Sequence, residues 1–424
     1  GDSDKVFTFL GGITFDDIEI TEVMLGQGND TFNIEATSPG TPGAGDYVVT
    51  VVHGGGNALL ASGEMGGDTI TVTDGGGVAS PLVIYGDTSQ DGSRYDSRPD
   101  ANIYTGNALN FANAGNDIID ARAISQMVTL YGGAGNDVIW GSQVGDHLAG
   151  GSGNDIIHGQ GGVDHIYGDS GFNMDYAVAK DPATDAAIVT RVLSVPTANA
   201  SPVLSSDLLT AGEDEIYGDS DDDIIFGDHG VIDQAAGTLR LLTTGIVTRI
   251  ASAESANGAA DYVEGNAGND IILGGNAGDT IDAGEGNNIV IGDHGFIDYV
   301  VRDGDLSDID VISSQSTTNY GGVDDIDSGV GDDILIGGRY GDTIDSLGGN
   351  NLIFGDSSKI TSATDDQSRF GNQPITLGRV ETIEFGDGGV DEINTGSASD
   401  GNDIVLGGHE GDFINVYEGD NIVL

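Results

Sequence analysis

The chain has 424 residues, 72 of them glycine and 70 aspartate or glutamate against only 13 lysine plus arginine, giving a formal charge of −57. So acidic a chain repels nucleic-acid phosphates and anionic lipid, and no apolar run approaches the ~18 residues of a membrane-spanning helix. The absence of cysteine removes disulfides, thiol catalysis and thiolate metal sites, leaving carboxylates as the plentiful ligands, which suit oxygen-preferring cations.

The first predicted strands are loosely spaced. Tyr47 to Val52, Asp68 to Val72 and Leu82 to Tyr85 read as rungs of a β-solenoid with long connections. From Gly132 a strict period of nine begins, GGAGNDVIW, GSQVGDHLA, GGSGNDIIH and GQGGVDHIY, ending at Tyr167. Asp137, Asp146, Asp155 and Asp164 mark it, each followed two places later by a large apolar residue: Ile139, Leu148, Ile157 and Ile166. A strand-like stretch, Ala187 to Ser194, precedes the next return of the frame at Asp214 and Asp223. Ile246 to Ser252 precedes Asp261, Asp270, Asp279 and Asn288, and Asp308 to Ser313 precedes Asp324, Asp333, Asp342 and Asn351. Leu377 to Phe385 precedes the last block, Asp391, Asp403, Asp412 and Asn421. No stretch reads as a helix.

The physical reading of the nine is direct. Glycine supplies the positive-φ turns, the triplet after each aspartate is a short strand, and its middle residue faces inward. Two nines make one coil, so turns two apart stack on the same edge about 4.8 Å from each other. Stacked carboxylates repel unless a cation lies between them, and carboxylates with turn carbonyls suit Ca²⁺ better than Mg²⁺. Isolated aspartates also make Asx turns, and for the lone Gly-Asn-Asp at Asn29 and Asp30 both readings stand.

The repeated GGxGxDxUx frame resembles the RTX (repeats-in-toxin, haemolysin-type) calcium-binding nonapeptide. The resemblance implies an all-β parallel β-roll or β-solenoid, calcium held between turn residues of alternate repeats, and type I secretion to the cell surface or exterior. The implied ligand pairs are Asp137 with Asp155, Asp146 with Asp164, Asp261 with Asp279, and Asp324 with Asp342. Asp270 with Asn288, Asp333 with Asn351, and Asp403 with Asn421 depart from the pattern, and the lost charge implies weaker or terminal sites. Asp214, Asp223, Asp391 and Asp412 stand in the same register and join the ligand set. At least about seven Ca²⁺ are expected, one for each pair eighteen apart; since these neutralise only part of the charge, further ions at the Gly-Asp junctions are one option.

A longer period surrounds the nines. An apolar residue followed by Gly-Asp recurs at Tyr85, Tyr167, Phe226, Ile291 and Phe354, cutting the chain into modules 1–85, 86–167, 168–226, 227–291, 292–354 and 355–424. The final Asn421-Ile422-Val423-Leu424 followed by the initial Gly1-Asp2-Ser3 would complete the same junction, so head-to-tail copies or continuation of the chain are expected at the ends. Long inserts follow each Gly-Asp and read as hairpins and loops.

The residues flanking each inward position alternate in character. One set is apolar, as in Ile271 and Leu273 or Leu352 and Phe354; the other is polar, as in Thr280 and Asp282 or Glu392 and Asn394. One outer sheet face is therefore wet, and the other must be covered by the inserts or by a lateral partner chain. His147, His158 and His165 hold outward positions and are expected at the surface, while His229 and His294 lie in a repeated Gly-Asp-His-Gly. There is no HExxH or GxSxG, and the paired carboxylates are explained without acid–base chemistry, so the chain reads as a non-enzyme. The expected function is a secreted, calcium-rigidified structural repeat of a fibre, surface coat or adhesin stalk. The alternatives are the calcium-binding accessory region of an RTX toxin or exoenzyme, and a glycan-binding adhesin module.

Overall fold

Short strands rich in Ile, Val and Leu, separated by glycine-rich turns, wind into a parallel β-solenoid whose two sheets share one interior. This computed structural model describes residues 20–38, 48–56, 60, 66–87, 115–169, 172–180, 187–196, 210–235, 243–315, 320–363, 368–396 and 401–424. A thirteen-stranded sheet runs from Ile20–Gln27 to Ile422–Val423, and a twelve-stranded sheet runs from Thr31–Ile34 to Phe413–Val416. The chain alternates between them, so each coil contributes one strand to each. Among the described residues there is no helix long and apolar enough to cross a membrane.

Register explains the core. Ile139, Ile157, Ile216, Val263, Ile281, Ile326, Ile344 and Ile393 are successive partners in the twelve-stranded sheet. Leu148, Ile166, Ile225, Ile272, Val290, Leu335, Ile353 and Val405 are successive partners in the other. These two columns face each other in one buried cluster. A one-residue slip would turn every one of them outward, so the inward residue fixes the register. The looser N-terminal rungs join the same sheets: Leu82–Tyr85 pairs with both Val49–Gly56 and Thr129–Ala134, and Thr69–Val72 with both Thr31–Ile34 and Ile118–Asp120.

The inserts build a third layer. Phe172–Lys180 and Ala187–Pro196 form an antiparallel hairpin of their own. The next three inserts each give a hairpin, and these pair edge to edge into one six-stranded antiparallel sheet. Its strands are Gly230–Gln234, Val247–Ser252, Gly295–Asp298, Val311–Ser314, Ser358–Ser362 and Leu377–Thr382. Ile232, Ile250, Ile297, Ile312, Ile360 and Val380 form one row across it. The isoleucines of that row share a second cluster with Phe226, Leu273, Ile291, Ile336 and Phe354, on the outer face of the thirteen-stranded sheet. The inserts therefore cover the apolar face, and Thr280, Asp282, Asp325, Asp327 and Glu392 leave the opposite face wet.

Two expectations change. His147 and His165 are buried, 5% and 1% exposed, because both lie on the outer face of the thirteen-stranded sheet, in a column that continues as Ile224 and Ile271. Only His158, on the wet sheet, keeps partial exposure. The expected stretch Ile246 to Ser252 forms its strand one residue later, at Val247–Ser252: Ile246 lies outside it and is 56% exposed, so Ile250 alone of its isoleucines enters the core.

Candidate metal-binding turns

The solenoid has two turn edges, an outgoing edge where the chain leaves the thirteen-stranded sheet and a return edge where it comes back. On the outgoing edge each turn aspartate accepts, at one oxygen, the backbone N–H of the turn aspartate one coil earlier. The series runs Asp30, Asp68, Asp117, Asp137, Asp155, Asp214, Asp261, Asp279, Asp324, Asp342, Asp391 and Asp412, at 2.6 to 3.2 Å. On the return edge it runs Asp146, Asp164, Asp223, Asp270, Asn288, Asp333, Asn351, Asp403 and Asn421, at 2.5 to 3.1 Å.

Every pair expected eighteen residues apart is thus stacked. The ladders also pass straight through the inserts, as in Asp155 to Asp214 and Asp214 to Asp261. Sequence reasoning missed Asp68 and Asp117 and left Asp30 open. The available signal was Gly-Gly-Asp-Thr-Ile at Gly66 to Ile70 and Gly-Asn-Asp-Ile-Ile at Gly115 to Ile119, whose spacing the inserts had stretched.

The second carboxylate oxygen sets the chemistry. In Asp164, Asp214, Asp223, Asp261, Asp270, Asp279, Asp324, Asp342 and Asp391 the Oδ2 atom is buried and has no hydrogen-bond partner. It lies beside the glycine that opens the turn. A Cβ on Gly265 would meet Asp270 Oδ2 and the Ala283 carbonyl, both at 2.6 Å, and one on Gly218 would meet Asp223 Oδ2 at 2.7 Å and the Gly265 carbonyl at 2.9 Å. Two acceptor oxygens therefore converge on a point that only glycine keeps open. Acceptors that face each other out of water need a cation or a proton between them. Carboxylate and carbonyl oxygens are the donor set of a hard cation such as Ca²⁺, so the residues fit that ion. Among the described residues no three or more His, Cys, Asp or Glu side chains converge as a metal cluster. A site here would take side chains from stacked turns together with backbone carbonyls.

Burial pushes these carboxyls up. Asp223 rises to about 9, and Asp270, Asp324 and Asp391 to about 7, in each case chiefly because the charged form is desolvated. Burial also depresses the histidines: His53 and His147 to about 3, His165 and His294 to about 4. A carboxyl raised above its ordinary value binds more protons folded than unfolded, so stability falls as pH rises through the raised value. A depressed histidine acts the other way, and its contribution is lost as pH falls below about 6.5 towards the depressed value. Metal-free protein should therefore gain stability between pH 8 and pH 6.5, where only the carboxyls respond. The β circular dichroism that persists in excess chelator across that range measures this, and a signal that falls on acidification would contradict it.

The junction aspartates play a different part. Asp228 accepts Ala259 N at 2.9 Å and Asn276 N at 2.6 Å, and Asp293 accepts Gly322 N at 2.8 Å and Arg339 N at 2.5 Å. Asp356 accepts the backbone N–H groups of Gly389 and His409. Each thus ties the returning end of an insert to the next rung. His229 Nε2 pairs with Asn257 Nδ2 at 2.9 Å, and His294 Nε2 lies 3.1 Å from the Ser255 carbonyl, so both hold insert segments.

On the wet face Trp140, His158 and Tyr217 stack in a row, with centroids 6.4 and 4.4 Å apart and near-parallel planes. Arg122 covers Trp140 at 4.2 Å, so the ring faces in this row are engaged by neighbours.

The family described as RTX calcium-binding nonapeptide repeat (4 copies) matches residues 129–143, 141–174, 210–230, 255–292 and 321–358. No curated protein and no solved structure matches the chain. The matched repeat is a calcium-binding structural module, not a catalytic one. With the nonapeptide frame, its parallel coils and the stacked turn aspartates in agreement, this chain carries a calcium-binding β-solenoid domain of the RTX repeat family.

Proposed function

We propose that the chain is a secreted structural protein, a Ca²⁺-rigidified rod that forms part of an extracellular fibre, surface coat or adhesin stalk. The turn residues Asp137, Asp146, Asp155, Asp164, Asp214, Asp223, Asp261, Asp270, Asp279, Asp324, Asp342, Asp391 and Asp412 hold calcium together with turn carbonyls, and at least about seven ions bind. The observation that carries the reading is the outgoing-edge ladder, continuous from Asp30 to Asp412 through every insert. Thirteen strands at about 4.8 Å make a rod of roughly 60 Å, which is the organisation of a spacer. An accessory region would concentrate its repeats in one block. A glycan platform would present free ring faces, which the Trp140 row does not.

The modules 1–85, 86–167, 168–226, 227–291, 292–354 and 355–424 are the repeating units of this rod, each closing where an insert departs. The last strands of the two sheets expose Phe413, Tyr417, Ile422, Val423 and Leu424, an edge suited to further solenoid of the same kind, whether continuous chain or a second copy. Export precedes folding: calcium-poor cytosol leaves the buried carboxyls without their cation, and the calcium-rich exterior supplies it. Electron microscopy of calcium-loaded protein tests the role. Long uniform filaments support it, and isolated particles that never associate favour the accessory-region reading.

A further inference from the structure

The two edges differ in a way that bears on which turns take metal. The outgoing edge is aspartate throughout, whereas from Asp270 the return edge alternates strictly: Asp270, Asn288, Asp333, Asn351, Asp403, Asn421. The asparagines are oriented by the ladder, since each Oδ1 accepts the N–H of the preceding turn residue at 2.8 to 3.0 Å. Their Nδ2 groups then point where an aspartate would place its unpartnered oxygen. Asn288 Nδ2 donates to the Ala283 and Gly284 carbonyls at 3.3 and 3.2 Å, Asn351 Nδ2 to Ser346 Oγ at 3.3 Å, and Asn421 Nδ2 to the Tyr417 carbonyl at 2.9 Å.

A second observation runs in parallel. The turns of Asp164, Asp223, Asp270, Asp279 and Asp342 open five residues earlier on glycine: Gly159, Gly218, Gly265, Gly274 and Gly337. In the insert-bearing turns of Asp214, Asp261, Asp324 and Asp391 the same place is held by Gly168, Gly227, Gly292 and Gly355. At the asparagine turns the position carries a side chain instead: Ala283, Ser346 and Val416. The cradle that aspartate turns keep open is filled, and the acceptors that would face a cation already have an N–H donor.

Resting on the calcium reading above, we propose that an RTX turn in this chain takes Ca²⁺ only where an aspartate lies over an open glycine, and that the turns of Asn288, Asn351 and Asn421 close without metal. Asp333 is the mixed case: its Oδ2 is buried without a partner, as in the open turns, but Ser328 stands where they have glycine, and the rule assigns it no ion. Cations then line the outgoing edge continuously, while the return edge beyond Asp270 is held by amide hydrogen bonds.

The test is the number of Ca²⁺ bound per full chain, by equilibrium dialysis with elemental analysis, for wild type, Ala283→Gly/Asn288→Asp and Asp279→Asn. The double variant should bind one ion more than wild type and Asp279→Asn one fewer, both retaining wild-type β circular dichroism in calcium. An unchanged count in the double variant overturns the rule, whether or not Asp279→Asn folds. Wild type that binds no calcium overturns the underlying reading as well, so the two failures are told apart.

Discussion

Removing calcium with EDTA should abolish most of the β circular dichroism of this protein near neutral pH, and millimolar Ca²⁺, but not equal Mg²⁺, should restore it. The size of the effect follows from linkage. A site with Kd of about 10⁻⁴ M in 10 mM Ca²⁺ stabilises the fold by about 2.7 kcal/mol, and several such sites exceed the roughly 5 to 15 kcal/mol of an ordinary domain. Asp214, Asp261, Asp279 and Asp342 bury a carboxyl oxygen that no donor reaches, and their pKa values are raised by burial, with neighbouring aspartates adding to the rise. Near pH 8 the metal-free fold must either protonate these groups or leave like charges facing one another out of water. Mg²⁺ fails because it demands near-octahedral geometry and gives up its waters reluctantly, which flexible turn carbonyls do not offset. A spectrum indifferent to chelation would mean that the turns hold themselves together without metal.

Ile250→Asp should destabilise the calcium-loaded protein by at least about 4 kcal/mol, combining the loss of a buried aliphatic side chain with the burial of an unpaired charge. Ile250 is fully buried between Ile232 and Ile297 in the cross-strand row that ends at Val380, and it belongs to the same cluster as Phe226 and Phe354. Its near neighbour supplies the control. Ile246 is 56% exposed, and Ile246→Asp should change stability by no more than about 0.5 kcal/mol. Chemical denaturation of both variants in calcium distinguishes the outcomes. Equal, small effects would mean that the insert sheet adds nothing to the solenoid and that its face is held by another chain.

The parts of this fold legible from sequence are those written locally. A nine-residue period records both the turn glycines and the inward residue, so it assigns Ile139, Leu148, Ile157 and Ile166 to the core and the aspartates to two stacked edges. What the period could not carry is stacking across inserts. Asp155 meets Asp214 and Asp68 meets Asp117 because parallel strands on either side of a long excursion return to register, a non-local event that leaves no fixed spacing. The covering sheet shows the same limit: each hairpin was visible, but the pairing of one insert with the next, Ile250 with Ile297 and Ile312 with Ile360, joins separate inserts. His147 and His165 were misjudged for another reason. Their flanking positions fall on the covered sheet, and position in the frame outweighed the polarity of the residue. The contrast between Gly274 ahead of Asp279 and Ala283 ahead of Asn288 was present in the sequence, yet it acquired meaning only once the carboxylate oxygen was seen beside the glycine.

The central claim is that cations lie along the outgoing edge between stacked aspartates. Crystals of the full chain grown in calcium and soaked in Tb³⁺, with anomalous diffraction recorded near the terbium edge, address it most directly. The account predicts a line of anomalous peaks beside Asp214, Asp261, Asp279, Asp324 and Asp342, spaced by about one strand separation, with none at the turns of Asn288 and Asn351. An outgoing edge without peaks, its aspartates stacked as they are here, would contradict it.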